Sequence, residues 1–289
     1  MTFLKPYFTL CRIYISLFAA CSAATGFFLA PGHPAAGVFI PAAAVFLLAC
    51  GASALNQYQE RAIDARMERT RERPVPAGIV SPGEALSVSL ALIIMGMSLL
   101  AYDGGAKASC LGLAALFWYN GIYTGLKKVT AFAALPGAMV GVIPPAIGWT
   151  AAGGALFDAR LAAICFIFFL WQVPHFWLLL LTHGEDYERA GLPSLTRSMS
   201  KAQIGRVTFA WIVAASVASL ALPLYGSVTS PLVCLLFAPL AAWLIWNERS
   251  LAGKRLTLPP SPALFRKINI YLFLIMSLLS IEGIFLRRP

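Results

Sequence analysis

Apolar runs of about twenty residues recur along the whole chain, separated by short polar or charged segments, and this spacing predicts helices long enough to cross a bilayer. Nine spans are expected, at about 10–29, 37–57, 84–102, 108–126, 132–150, 160–182, 207–225, 230–247 and 268–286. The intervening segments are mostly too short to fold alone, so residues 1–289 form a single domain. The fold class is all-α: a multi-pass transmembrane helical bundle within the lipid bilayer. The longer charged loops, 58–83, 183–206 and 248–267, all fall on one side of it.

Composition agrees with this pattern. Of the 289 residues 59% are hydrophobic and 12% charged, against about 25% charged in a soluble domain. Orientation follows from the basic residues. With a cytoplasmic N-terminus, only Lys107, Arg160, Arg287 and Arg288 face outward, and the other 18 of the 22 Lys and Arg lie in inner segments. The positive-inside rule therefore puts the N-terminus in the cytoplasm, and an odd number of spans puts the C-terminus outside, as in a cell inner-membrane protein. The net charge of +10 reflects this bias; basic residues in juxtamembrane loops make no nucleic-acid-binding face. The six cysteines lie within or beside spans with no CxxC spacing, and act as small packing residues. Phe18-Ala19-Ala20-Cys21 is similar to a lipoprotein cleavage site, but the apolar run continues to Ala30, which points to an uncleaved first helix. His33 falls outside and has no assigned role.

Candidate chemistry collects on the inner side. Asn56, Glu60 and Asp64 are four residues apart, so on a helix continuing from the second span they line one face. Oxygen donors there suit a hard cation such as Mg²⁺ shared with a phosphate, and Arg69 and Arg73 beyond them suit further phosphate oxygens. A solvated helix end with Glu60 and Asp64 paired to Arg61 and Arg66 fits the spacing equally well. A second acidic group, Glu185 and Asp186, lies in the loop after the sixth span on the same side. Tyr119, Tyr123 and Lys127 share a face at the end of the fourth span, with Lys128 next in sequence; an aromatic belt with interfacial lysines has the same pattern. The fifth span holds Pro136, Gly141, Pro144, Pro145 and Gly148, and so either packs backbone-close or bends around a ligand. In the sixth span Phe168, Trp171 and His175 form a stripe that suits a flat aromatic ligand, although an intramembrane His is also commonly hydrogen-bonded between helices.

Taken together, the motifs resemble the UbiA superfamily of intramembrane prenyltransferases, and within it the heme-modifying branch. Asn56-xxx-Glu60-xxx-Asp64 with Met67-Glu68-Arg69-Thr70-Arg71-Glu72-Arg73-Pro74 is similar to the family's first acidic motif and its tail. Tyr123-Thr124-x-x-Lys127-Lys128-x-Thr130 and Gly141-x-x-Pro144-Pro145-x-x-Gly148-Trp149 match further blocks. So do Trp171-x-x-Pro174-His175-Phe176-Trp177 and Glu185-Asp186-Tyr187-x-x-Ala190-Gly191-x-Pro193. Coverage is about residues 1–200. Departures are Glu60 for an Asp, Ala133 for an Asn, and Pro136 before Gly137 where a branched aliphatic residue and a Gly-Gly pair are usual.

The resemblance implies Mg²⁺-dependent transfer of farnesyl from farnesyl diphosphate to a vinyl group of heme b, through an allylic cation. It implies Asn56, Glu60, Asp64, Glu185 and Asp186 around the metal, with Asn56, Glu60, Asp64 and Lys127 catalytic. Arg69, Arg73, Lys128, Tyr119, Tyr123, Trp171 and His175 would bind the substrates, Arg12 would pair with a heme propionate, and a heme-oxidising membrane enzyme would act downstream. Two rivals remain open: a phenolic or naphthoic quinone precursor as acceptor, and a non-catalytic heme-handling or transport protein.

Overall fold

The computed structural model describes residues 4–31, 35–253 and 262–286. His33, Lys254, Arg255, Arg287 and Arg288 lie outside the described residues. Every regular element within them is helical. In chain order these are α1 (Lys5–Leu10), α2 (Ile13–Leu29), α3 (Phe39–Asp64), α4 (Pro82–Leu99), α5 (Gly105–Leu116), α6 (Thr124–Leu126), α7 (Ala134–Ala151), α8 (Ala159–Arg189), α9 (Lys201–Leu220), α10 (Pro231–Glu248) and α11 (Pro262–Ile281). Wider π-type turns occupy Leu100–Gly104 and Phe117–Tyr123.

Seven helical runs among the described residues are long and apolar enough to cross a membrane. The difference from nine has two sources. Ile13–Leu29 is apolar but only 17 residues long. Pro82–Leu126 is one helical run of 45 residues, about 68 Å at 1.5 Å per residue, more than twice a hydrocarbon core of about 30 Å. It is broken at Gly105, whose φ of 73° takes the chain out of the helical region.

Two helices begin earlier than their hydropathy suggests. α9 starts at Lys201 rather than near 207 because Ser200 and Gln203 form a reciprocal capping box. α11 takes in Arg266 and Lys267 and starts at Pro262 rather than near 268. Hydropathy registers the apolar interior of a helix and misses a polar first turn.

α2 is the shared wall of the bundle. It packs on α3, α7 and α11; the contacts run on from α7 through α8, α9 and α10 back to α11. α3 packs on α4, and α5 on α7. The largest core lies within this ring of helices, around Trp149, Phe168, Trp171, Phe237 and Tyr271. The breakers of α7 serve close approach, one of the two outcomes expected for that span. A Cβ on Gly148 would overlap the Ala23 carbonyl, and one on Gly26 would overlap the Pro145 carbonyl. Backbone contact of this kind is how helices gain dispersion energy where no hydrophobic force separates protein from lipid.

Valine at Gly26 or Gly148 therefore forces α2 and α7 apart and destabilises the bundle by about 1–3 kcal/mol or more. Gly83→Ala, with nothing within 4 Å of its added Cβ, serves as the neutral control. Thermal unfolding of the purified variants in detergent measures the difference; an unchanged midpoint for Gly148→Val contradicts the close crossing.

Candidate active site

α3 continues unbroken to Asp64, so Asn56, Glu60 and Asp64 fall on one face as their spacing requires, and all three are buried. Buried carboxylates need cations, and each has one. Lys127 Nζ lies 2.7 and 2.8 Å from the two Glu60 carboxylate oxygens, and Arg73 Nη1 donates to Asp64 Oδ2 at 2.7 Å. The bland surface pairing is thus replaced: Glu60 and Asp64 take their partners from distant segments rather than from Arg61 and Arg66. Asn56 donates through Nδ2 to Thr124 Oγ1 at 3.2 Å and accepts at Oδ1 from Arg12 Nη2 at 3.4 Å.

Arg12 comes from the junction of α1 and α2, where its φ of 46° makes it the one non-glycine residue with positive φ among those described. Such a conformation costs about 1–3 kcal/mol and persists only when its surroundings hold it. Here Gln57 helps to hold the junction by donating to the carbonyls of Thr9 and Leu10 at 3.0 and 3.1 Å. The guanidinium also reaches the Tyr119 hydroxyl at 3.5 Å. Burial first, and then the Arg12 charge, lower the pKa of Arg73, while Asp64 opposes the shift. Cations are therefore crowded at this end of the bundle.

The π-type turn Phe117–Tyr123 still lets Tyr119 and Tyr123 stack, with centroids 5.9 Å apart. Tyr123 also stacks on Phe176 of α8 at 5.6 Å, and Lys127 Nζ lies 4.9 Å from its ring centre.

The second acidic segment divides. α8 leaves helical geometry at His183 (φ −122°, ψ 16°), which redirects its last turn. Asp186 then accepts from the backbone N–H groups of Glu68 and Arg69, at 2.7 and 3.1 Å. Met67, Ala190 and Leu192 form a small core beneath this contact, together with Ile63 and Tyr187. Asp186 is thereby brought to the segment that follows Asp64. Glu185 is not: its side chain is 71% exposed and pairs with Lys201 at 3.2 Å and Arg189 at 3.8 Å. Arg69 and Lys128 are exposed, and Arg69 reaches the Tyr187 hydroxyl at 3.5 Å.

The aromatic stripe of α8 is largely consumed by packing. Phe168 and Trp171 are buried, and Trp171 Nε1 donates to the Ile268 carbonyl at 2.8 Å. His175 is half-buried and pairs across helices with Asn269 of α11 at 3.0 Å. The sequence marks Thr124 and Tyr187 only as motif positions without a role, and it leaves Asn269 unmarked; the signal for Asn269 is a lone amide in the apolar run of α11.

Among the described residues, no three His, Cys, Asp or Glu side chains converge tightly enough to cage a metal unaided. The donor set nonetheless suits Mg²⁺, which needs only one or two carboxylates when phosphate oxygens and water complete its octahedron. Asn56, Glu60 and Asp64 supply hard oxygens in contact with Arg12, Lys127 and Arg73, which fits a metal–diphosphate pair better than a bare ion.

A model of the UbiA prenyltransferase family matches residues 16–270. The protoheme IX farnesyltransferase of Geobacter sulfurreducens is 43% identical over 215 residues, 74% of this chain and 79% of that protein. Protoheme IX farnesyltransferase 1 of Mesorhizobium japonicum is 35% identical over 285 residues, covering 97% and 91%. Among solved structures, a UbiA homolog from Archaeoglobus fulgidus bound to GPP and Mg²⁺ has a TM-score of 0.69 at 14% identity, over 96% of this chain and 99% of that one. A chain solved in work on digeranylgeranylglyceryl phosphate synthase in membranes has a TM-score of 0.74 at 17% identity, over 98% and 99%. With the family matched across most of its length, and in the same helical fold, this chain belongs to the UbiA prenyltransferase family.

Proposed function

We propose that this prenyltransferase moves farnesyl from farnesyl diphosphate to a vinyl group of heme b, giving the hydroxyethylfarnesyl side chain of heme O. The acceptor reading is supported by the relatives named protoheme IX farnesyltransferase, which match at 35–43% identity. The observation that carries the site is the pair of buried carboxylates, Glu60 and Asp64, each held within 2.8 Å of a cation from another segment.

The topology that goes with this reading has nine passes. It counts Ile13–Leu29 as a short crossing and divides Pro82–Leu126 at Gly105 into two. The N-terminus and the active site then face the cytoplasm across the inner membrane, and the C-terminus lies outside. A heme-oxidising membrane enzyme would take up the product.

Asn56, Glu60, Asp64 and Asp186 would hold Mg²⁺, which when bound would supply positive charge to a departing diphosphate. Arg73 and Lys127 are paired to carboxylates, and phosphate oxygens offer them equivalent partners. With Arg69 and Lys128 they surround the diphosphate as the C–O bond of farnesyl diphosphate breaks. The Tyr119 and Tyr123 rings stabilise the allylic cation by about 1–2 kcal/mol each in a desolvated site. The vinyl π electrons then form the new C–C bond, and water adds to the resulting cation beside the porphyrin with loss of a proton. Both substrates are lipid-soluble at one end, so a cavity reached from the bilayer would be where they meet.

Three outcomes are expected. Asp64→Asn lowers turnover by about 10²–10³-fold, the scale for losing one transition-state stabiliser, while the elution volume stays that of the parent chain. Its thermal midpoint falls because Arg73 loses its carboxylate, so turnover is measured well below that midpoint, and normal activity removes Asp64 from the site. Membranes given labelled farnesyl diphosphate label heme b and not 4-hydroxybenzoate. That label disappears with EDTA and returns with Mg²⁺, and preferential labelling of the phenol reverses the acceptor assignment. An alkaline phosphatase fused to the C-terminus is active only outside the cytoplasm, so an inactive fusion contradicts nine passes with the N-terminus inside.

A further inference from the structure

His175 lies in a nest of rings, with centroids 4.8 Å from Trp171, 4.6 Å from Phe265 and 5.8 Å from Phe176. Its Nδ1 is 3.0 Å from Asn269 Oδ1. The direction of that bond is fixed one step away, where Asn269 Nδ2 donates to the Phe265 carbonyl at 2.6 Å. Turning the amide over would set two acceptor oxygens against each other at that distance. Asn269 Oδ1 must therefore accept, and His175 Nδ1 must carry the proton. A neutral imidazole has only one N–H, so the lone pair is on Nε2.

That nitrogen has no hydrogen-bond partner among the described residues, and it is not one of the sealed, unpartnered polar atoms of the core. His175 itself is half-buried, whereas Trp171, one turn earlier, spends its only polar atom on Ile268. A His that served only to join α8 to α11 would need no open second nitrogen. Flat aromatic walls, an unused Nε2 lone pair and an acceptor behind Nδ1–H are the features of a ring held ready to bind a metal in a planar ligand.

We propose that His175 Nε2 is the protein's ligand to the iron of the metalloporphyrin acceptor, and that Asn269 is a positioning residue that keeps the ring in its Nδ1–H form. This rests on the heme reading above and extends it by naming the anchor. Ligation donates the Nε2 lone pair to iron in place of a water molecule, with no change in oxidation state. The rings of Phe176, Tyr123 and Tyr119 connect His175 to the cationic cluster in one run of contacts, so anchoring the iron fixes the porphyrin relative to the departing diphosphate.

The test is a titration of the full-length protein in detergent with ferric heme, followed by reduction and CO, read by visible spectra. The parent chain is expected to give the spectrum of a single-histidine heme. His175→Gly should lose that signature and bind about tenfold or more weakly, and added imidazole should restore the signature. Asn269→Leu should weaken binding and shift the spectrum, and Asn269→Gln, which keeps both an accepting oxygen and a donating N–H group, should recover part of it. Zinc-free and iron-free protoporphyrin should bind the parent and His175→Gly equally. Identical heme spectra for the parent and His175→Gly overturn the inference, as does a His175→Gly protein that folds but does not respond to imidazole. If heme is farnesylated normally while either result holds, only the anchor is lost. If the parent neither binds nor farnesylates heme, the acceptor assignment beneath it fails as well.

Discussion

Two carboxylates buried at the end of a membrane-length helix set the terms for everything around them. Glu60 and Asp64 sit where neither bulk water nor lipid can neutralise them, and leaving either unpaired would cost about 3–5 kcal/mol. The chain meets this cost with Lys127, from the turn after α6, and Arg73, from the segment between α3 and α4. Each pairing draws a separate stretch of backbone to the same place. The electrostatic requirement thus does the architectural work of assembling the charged end of the bundle. The same cations, arranged for carboxylate oxygens, are equally suited to phosphate oxygens. Stability of the charged end of the bundle and its fit to an anionic substrate then have one origin.

Charge pairing alone would leave the second acidic segment adrift. Its position comes from a different combination, in which geometry and packing act together. The bend at His183 turns the end of α8, Gly191 with φ of 80° turns the chain again, and Leu192 lands on Met67. Asp186 then spends both oxygens on consecutive backbone N–H groups. A carboxylate held this way is oriented by the backbone itself, which is the preorganisation that makes an electrostatic site effective. Glu185, one residue earlier, leaves the helix about 100° away and meets only exposed cations, whose pairing contributes little.

Much of this was legible because it follows from period alone. The face of Asn56, Glu60 and Asp64 needed only 3.6 residues per turn. The small residues and prolines of α7 announced an unusual contact, although only the crossing of Gly148 over Ala23 decided between close packing and a ligand-induced bend. Other features depend on information that periodicity does not contain. The start of α9 was set by a capping box, not by hydropathy. The fate of Glu185 and Asp186 was divided by a local change of backbone direction, since neighbours in sequence leave a helix end about 100° apart. The strained turn at Arg12 depends on Gln57 reaching back to α1, a contact across more than forty residues that no short motif encodes. Phe168 and Trp171 have the spacing of a ligand-facing stripe and yet pack in the core, because any helix shared by several neighbours buries more than one face.

The arrangement that results separates two kinds of chemistry without a gap between them. At one end, oxygen donors and cations provide a polar site in which a polyphosphate can lose its organic group. Toward the interior, Tyr119, Tyr123, Phe176 and His175 succeed one another at ring distances of about 6 Å, a surface too apolar to solvate an ion but rich in π electrons. In the proposed reaction, an allylic cation generated at the boundary would be attracted by ring faces and kept from water, while its counter-ion would be retained by charges fixed to the helix ends. Placing the ionising bond at that boundary would meet both needs, because neither a wholly polar nor a wholly apolar pocket could hold a diphosphate and protect a cation. The order of residues along α3, apolar through Leu55 and oxygen-bearing from Asn56, puts that boundary in the sequence itself.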